Sequence, residues 1–102
     1  MSMSSAVDVG ALTAEDFEPR RNDTFRLRHA GGELPLQLHD VRRLGYGDRR
    51  GGAFSLLFVG APGPFLPQAV YPLVHAAIGT LQLFLVPLGP TPAGNSYEAI
   101  LA

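Results

Sequence analysis

The chain contains no cysteine and no lysine among its 102 residues. Without cysteine there is no disulfide framework and no thiolate for a metal, redox or nucleophilic site. Charge is also scarce, at 17% of residues against about 25% in an ordinary soluble domain. It is unevenly placed: Ala53 to Tyr97 contains no Asp, Glu, Lys or Arg, and beyond it only Glu98 is charged. A net charge of -1, with acids interleaved among the arginines, leaves no basic footprint for nucleic acid or an anionic bilayer. The exclusive use of arginine as cation fits a GC-rich genome.

The opening residues, MSMSSAVDVGALTAEDF, lack the basic start and apolar run of a signal peptide, so a cytoplasmic location at synthesis is expected. The longest apolar run, Val70 to Leu88, is interrupted by Pro72, His75, Gly79, Gln82 and Pro87. Those residues break a membrane helix at several turns and suit strands instead, so no membrane partner is expected.

What is present is strand patterning with frequent punctuation, 12 glycines and 9 prolines. Residues 1–11 read as a flexible arm, and residues 12–102 as one domain of a size that buries a single core. LTAEDFEP reads as one short helix, with Thr13 as N-cap, Glu15 and Asp16 in its first turn and Pro19 closing it, while Leu12 and Phe17 pin it to the domain. TFRLRH and LPLQLHD then form a hairpin. With Gly31 and Gly32 as central turn residues, Leu27 faces Leu36, Phe25 faces Leu38, and Arg26, Arg28, Gln37 and His39 point the other way. Keeping Val41 on the inner face requires a bulge near His39 to Val41.

FSLLFVG is apolar on both faces and reads as a central strand. AVYPLVH and GTLQLFLVP are two further strands whose mutual register the linking AAIG leaves open. SYEAILA is the last. Pro72 belongs on an edge strand or at an outward position. About six closely spaced strands without intervening helices predict an all-β domain, an antiparallel β-sandwich or small barrel with one short N-terminal helix.

Chemistry is thinly represented. His29 and His39 project from opposite faces in this register, and His75 reads as a hydrogen-bonded residue at a strand end. No metal and no cofactor is therefore expected. Ser55 lies within a strand, and Ser96 lacks the strained turn that exposes a catalytic serine. GYGDRRGG has the glycines of a phosphate-cradling loop but leads into a strand, so the helix N-terminal amides such loops use are missing. No catalytic residue is assigned.

The candidates that remain are contacts. Phe65 and Leu66, in the stiff proline-spaced loop GAPGPFLPQ, would anchor a partner or cap the domain, and VPLGPTPAGN is a second such loop. Arg49 and Arg50, with Arg42, Arg43, Arg20 and Arg21, would form a patch for phosphate or an acidic partner, although interleaved acids make it a mixed face. The rival expectation is a small-ligand-binding barrel or enzyme with a pocket of His75, Tyr71 and Tyr97.

The runs FSLLFVG, LPQAVYPLVH, LQLFLVPLGP and YEAIL together resemble a bacterial domain-of-unknown-function family, number 6916, over roughly residues 12–101. The resemblance implies an all-β single domain without an established activity. It also implies an assembly role, through the phage-tail-collar-like neighbours of such genes. Here Pro72 and Val74 stand at outward positions that are usually polar or charged in that family, which would suit a subunit contact. The expectation is a non-enzymatic structural or protein-interaction domain. It would serve as a subunit or accessory of a larger, phage-tail-like assembly, with a protein partner or a homo-oligomer and without nucleic acid.

Overall fold

The hairpin residues, the apolar strand FSLLFVG and the charge-free half close on one another. The computed structural model describes residues 7–47, 49–62 and 65–102. After a 3-10 turn at Val9–Ala11 come helix α1 (Ala14–Phe17) and a second 3-10 turn (Glu18–Arg20). Six strands follow: β1 (Thr24–His29), β2 (Gly32–Arg43), β3 (Phe54–Gly60), β4 (Ala69–His75), β5 (Gly79–Thr91) and β6 (Gly94–Leu101). They form a closed antiparallel barrel in the order β1-β2-β3-β6-β5-β4, with β4 returning to β1.

Alternation along each strand fills the interior. Phe25 and Leu27 of β1, Leu36 and Leu38 of β2, and Phe54, Leu56 and Phe58 of β3 are all fully buried. Leu73, Leu81, Leu85 and Tyr97 join them from the other three strands. Phe17, carried in by α1, stacks against Phe25 and lies 5.7 Å, ring to ring, from Phe54, so the helix stoppers one end. Thr13 caps α1 as its sequence implies: the Asp16 carboxylate accepts the Thr13 backbone N–H at 2.7 Å. Pro19 does not end the helical path, because it occupies the first turn of the second 3-10 segment, where no N–H is needed.

The β1–β2 hairpin keeps the expected faces with a different register. His29 pairs with Gly32, so Ala30 and Gly31 are the turn, Leu27 faces Leu34 and Phe25 faces Leu36. Of the two glycines only Gly32 has a positive φ, 126°. A turn shifted by one residue moves each partner by two positions, which preserves inside and outside. The predicted bulge is present between Leu38 and Asp40. Asp40 accepts the Val41 N–H at 2.9 Å, and Arg21 bonds both the Val41 carbonyl (3.1 Å) and Asp40 (3.4 Å), so the irregularity is held by side chains.

VPLGPTPAGN is not a loop. Strand β5 runs to Thr91, pairing first with β4 as far as Leu85 and then with β6 from Val86 onward. Beyond Leu85 it no longer has β4 beside it, and a strand with one free edge tolerates the missing donors of Pro87 and Pro90. The β4–β5 connection is three residues, since His75 pairs with Gly79. Pro72 pairs with Gln82, just beyond the two-pair ladder that joins β4 to β1.

Where β6 starts, Gly94 has φ 135° and a Cβ placed on it would lie 1.8 Å from the Gly60 carbonyl oxygen. That oxygen is backbone and cannot rotate away. Gly94→Ala is therefore expected to destabilise the barrel by about 2–4 kcal/mol, read as a lowered midpoint in thermal or urea unfolding.

Candidate functional site

The three residues of the ligand-pocket expectation are split between the two ends of the barrel. His75 lies at the end stoppered by α1 and is 5% exposed. Its Nδ1 accepts the backbone N–H groups of Ala77 and Ile78, at 3.0 and 3.1 Å. A nitrogen that accepts two donors carries no proton, so the proton belongs to Nε2, which donates to the Asp23 carboxylate at 2.8 Å. The ring also packs on Phe25, with centroids 4.5 Å apart. His75 thus spends both nitrogens and a face on joining the β4–β5 turn to the entry of β1. It is the strand-end histidine read from the sequence, paired with a carboxylate from the charged half.

Tyr97 and Tyr71 serve the opposite end. The Tyr97 hydroxyl accepts the Leu66 N–H at 3.1 Å, and its ring meets that of Phe65 edge-on at 5.8 Å. The Tyr71 hydroxyl donates to the Pro67 carbonyl. Phe65 and Leu66 are half-buried and pack against the core, as a cap does. Gly63 and Pro64 of that loop lie outside the described residues.

Arg49 is also occupied internally. Its guanidinium donates to the carbonyls of Val9 and Leu12 and sits 5.3 Å from the Phe54 ring centroid. The segment it grips packs on the barrel, with Val7, Val9 and Leu12 against the core and the Val7 N–H bonded to the Thr80 carbonyl at 2.8 Å. Residues 7–11 of the expected arm are therefore laid against their own domain, and residues 1–6 lie outside the described residues. Arg50 remains exposed. Pro72 and Val74 face outward, half-buried, opposite Gln82 and Thr80 of β5. Among the described residues no three His, Cys, Asp or Glu side chains gather as they would around a metal ion, and no helix is long and apolar enough to cross a membrane.

The feature that residue-by-residue reading missed is the outer wall of the charge-free half. Val70, Phe84, Leu88 and Ile100 are 49–58% exposed. Val70 pairs with Phe84 across β4 and β5. On the far side of β5, Val86, Glu98 and Leu57 lie side by side on β5, β6 and β3, and Ile100 stands beside Ser55. Ser55, Leu57, Leu88, Glu98, Arg42 and Asp40 line a groove of about 240 Å³ over β3. Asp40 is within ion-pair distance of Arg21 and Arg42, whereas the Glu98 carboxylate has no hydrogen bond or ion pair among the described residues. The strand alternation itself was the available signal: odd positions of GTLQLFLVP are inside, which leaves Phe84 and Val86 outside.

A closed six-stranded antiparallel barrel with both ends capped by its own chain is the class of structure these observations define. The family described as Domain of unknown function (DUF6916) matches residues 12–101, and the chain belongs to it. No curated protein and no solved structure matches.

Two substitutions test these assignments. Replacing His75 with Ala orphans two backbone N–H groups and opens the core beside Phe25, at an expected cost of about 2–4 kcal/mol. His75→Asn, whose carbonyl can meet the same amides, should cost visibly less, as paired urea unfolding curves would show. Arg49→Ala should release the N-terminal segment without unfolding the barrel. In hydrogen exchange the Val7 amide should then exchange at least about tenfold faster while the β3 and β6 amides hold their protection.

Proposed function

We propose that this domain is a non-enzymatic structural barrel that works through protein contacts, as a subunit or accessory of a larger assembly. One observation carries the reading: of the large apolar side chains left exposed among the described residues, Val70, Phe84, Leu88 and Ile100 lie on β4, β5 and β6, and Tyr46 alone lies elsewhere. Monomeric proteins rarely leave such groups together, and wide apolar patches mark contact surfaces. The interior supports the same reading. Phenylalanine, leucine and tyrosine fill it, and the polar groups at its two ends, His75 and Tyr97, are already bonded within the chain. Family resemblance supports an assembly of the phage-tail kind. The contact surface proposed differs from Phe65 and Leu66, which are occupied as a cap, and adjoins Pro72 and Val74 on the outer face of β4.

Site-specific photo-crosslinking in the cells that express the protein tests this. A benzophenone side chain at position 84 should yield a discrete protein adduct, and one at position 33, on the charged hairpin, should not. Absence of any adduct from positions 70, 84, 88 and 100 would overturn the reading.

A further inference from the structure

We infer that a second copy of this chain docks on the outer face of β2, β3 and β6 about a two-fold axis, and that Arg42 of each copy pairs with Glu98 of the other. This rests on the contact reading above and names the partner. The face carries one cation and one acid that the chain itself leaves underused. The Glu98 carboxylate has no hydrogen bond or ion pair among the described residues. Arg42 is 73% exposed, and its one ion pair among those residues spans 3.8 Å to an Asp40 that Arg21 already approaches at 3.4 Å. The two do not meet within one chain. Arg42 lies in a row with Ser55 and Ile100, and Glu98 in the next row with Leu57 and Asp40, so they occupy opposite corners of a block three strands wide. With strands about 4.8 Å apart and alternate residues about 6.8 Å apart, their Cα atoms are about 12 Å from each other, with β3 between them.

Opposite corners are what a two-fold axis exchanges. An axis lying in the contact plane, crossing β3 between Ser55 and Leu57 at right angles to the Arg42–Glu98 diagonal, sets each Arg42 over the Glu98 of the other copy. One patch then forms two equal ion pairs, which is the self-complementarity an isologous contact requires. The same axis passes close to Ile100, 57% exposed, and lays it against its own counterpart, so apolar burial sits beside the charged pairs. Asp40 falls near the other end of the axis, and its charge is met within its own chain by Arg21 and the Val41 N–H. Arg21, Arg42, Asp40 and Glu98 of each copy thus balance across the contact. The mixed lining of the groove over β3, where Ser55, Asp40, Arg42 and Glu98 accompany Leu57 and Leu88, suits such a contact. Exposed ion pairs contribute little affinity, so these fix the register while Ile100 and Leu57 supply the burial.

Sedimentation equilibrium of the full chain and of the variants Arg42→Glu and Glu98→Arg tests this. Wild type should dimerise. Each variant alone should dimerise at least roughly tenfold more weakly, because both pairs of its homodimer become like-charged. Mixed in equal amounts, the two variants should dimerise again, since in the mixed dimer each of the two contacts joins opposite charges. Recovery on mixing also separates loss of the site from a folding defect, which the other variant would not repair. Wild type that stays monomeric up to about 1 mM would overturn the inference. Variants that dimerise as wild type does, or a mixture that does not recover, would overturn it equally. Monomeric wild type that still gives photo-crosslinked adducts with a different protein would remove the second copy while leaving the contact reading intact.

Discussion

Closure of the barrel at the junction of β1 and β4 is the constraint on which the rest of the structure depends. Their ladder consists of Arg26 with Val74 and Leu27 with Leu73, against six or more pairs at the β1–β2 and β4–β5 contacts. Two backbone pairs are little to hold a curved sheet shut. Side chains complete the seam: His75 reaches from β4 to Asp23 at the entry of β1 and covers Phe25 within it. The histidine is buried because the seam passes through it, and its proton position follows from the two amides it must also satisfy. A residue type associated with catalysis is here committed to joining the first and fourth strands.

A closed barrel still has open ends, and each is sealed from within the chain. At one, Phe17 and the segment gripped by Arg49 cover Phe25 and Phe54. At the other, Phe65 and Leu66 are fastened by Tyr97. The residues of greatest chemical versatility in the sequence, His75, Tyr71, Tyr97 and Arg49, are consumed in this sealing. The apolar wall and Glu98 remain on the exterior.

Much of this was legible in the sequence. The short helix, the bulge before Val41 and the bounds of β4 follow from local rules: a cap residue, a parity conflict, a proline with nowhere else to sit. The inside and outside of the first hairpin were legible while its register was not, because inward and outward sets survive a two-residue shift that only turn geometry decides. The extent of β5 was hidden for a different reason. Pro87 and Pro90 read as breakers until it is known that β5 exchanges β4 for β6 at Val86, and which edge is free is a property of topology. Likewise, Arg49 looks like a surface cation in sequence, and only the approach of residues 9–12 reveals its carbonyl partners.

The charge-free stretch invites burial as its explanation, and burial accounts for half of it. Alternation buries Leu73, Leu81, Leu83 and Leu85, yet it must turn the intervening residues outward, and Val70, Phe84 and Leu88 are among those. An ordinary β surface would place charge or hydroxyl groups there, as β1 and β2 do with Arg26, Arg28 and Glu33, linked by ion pairs. The two halves of the barrel therefore differ on their outer faces far more than on their inner ones. Core packing is indifferent to what the outer face carries. An apolar exterior on one half, with a single acid in it, is therefore not accounted for by core packing.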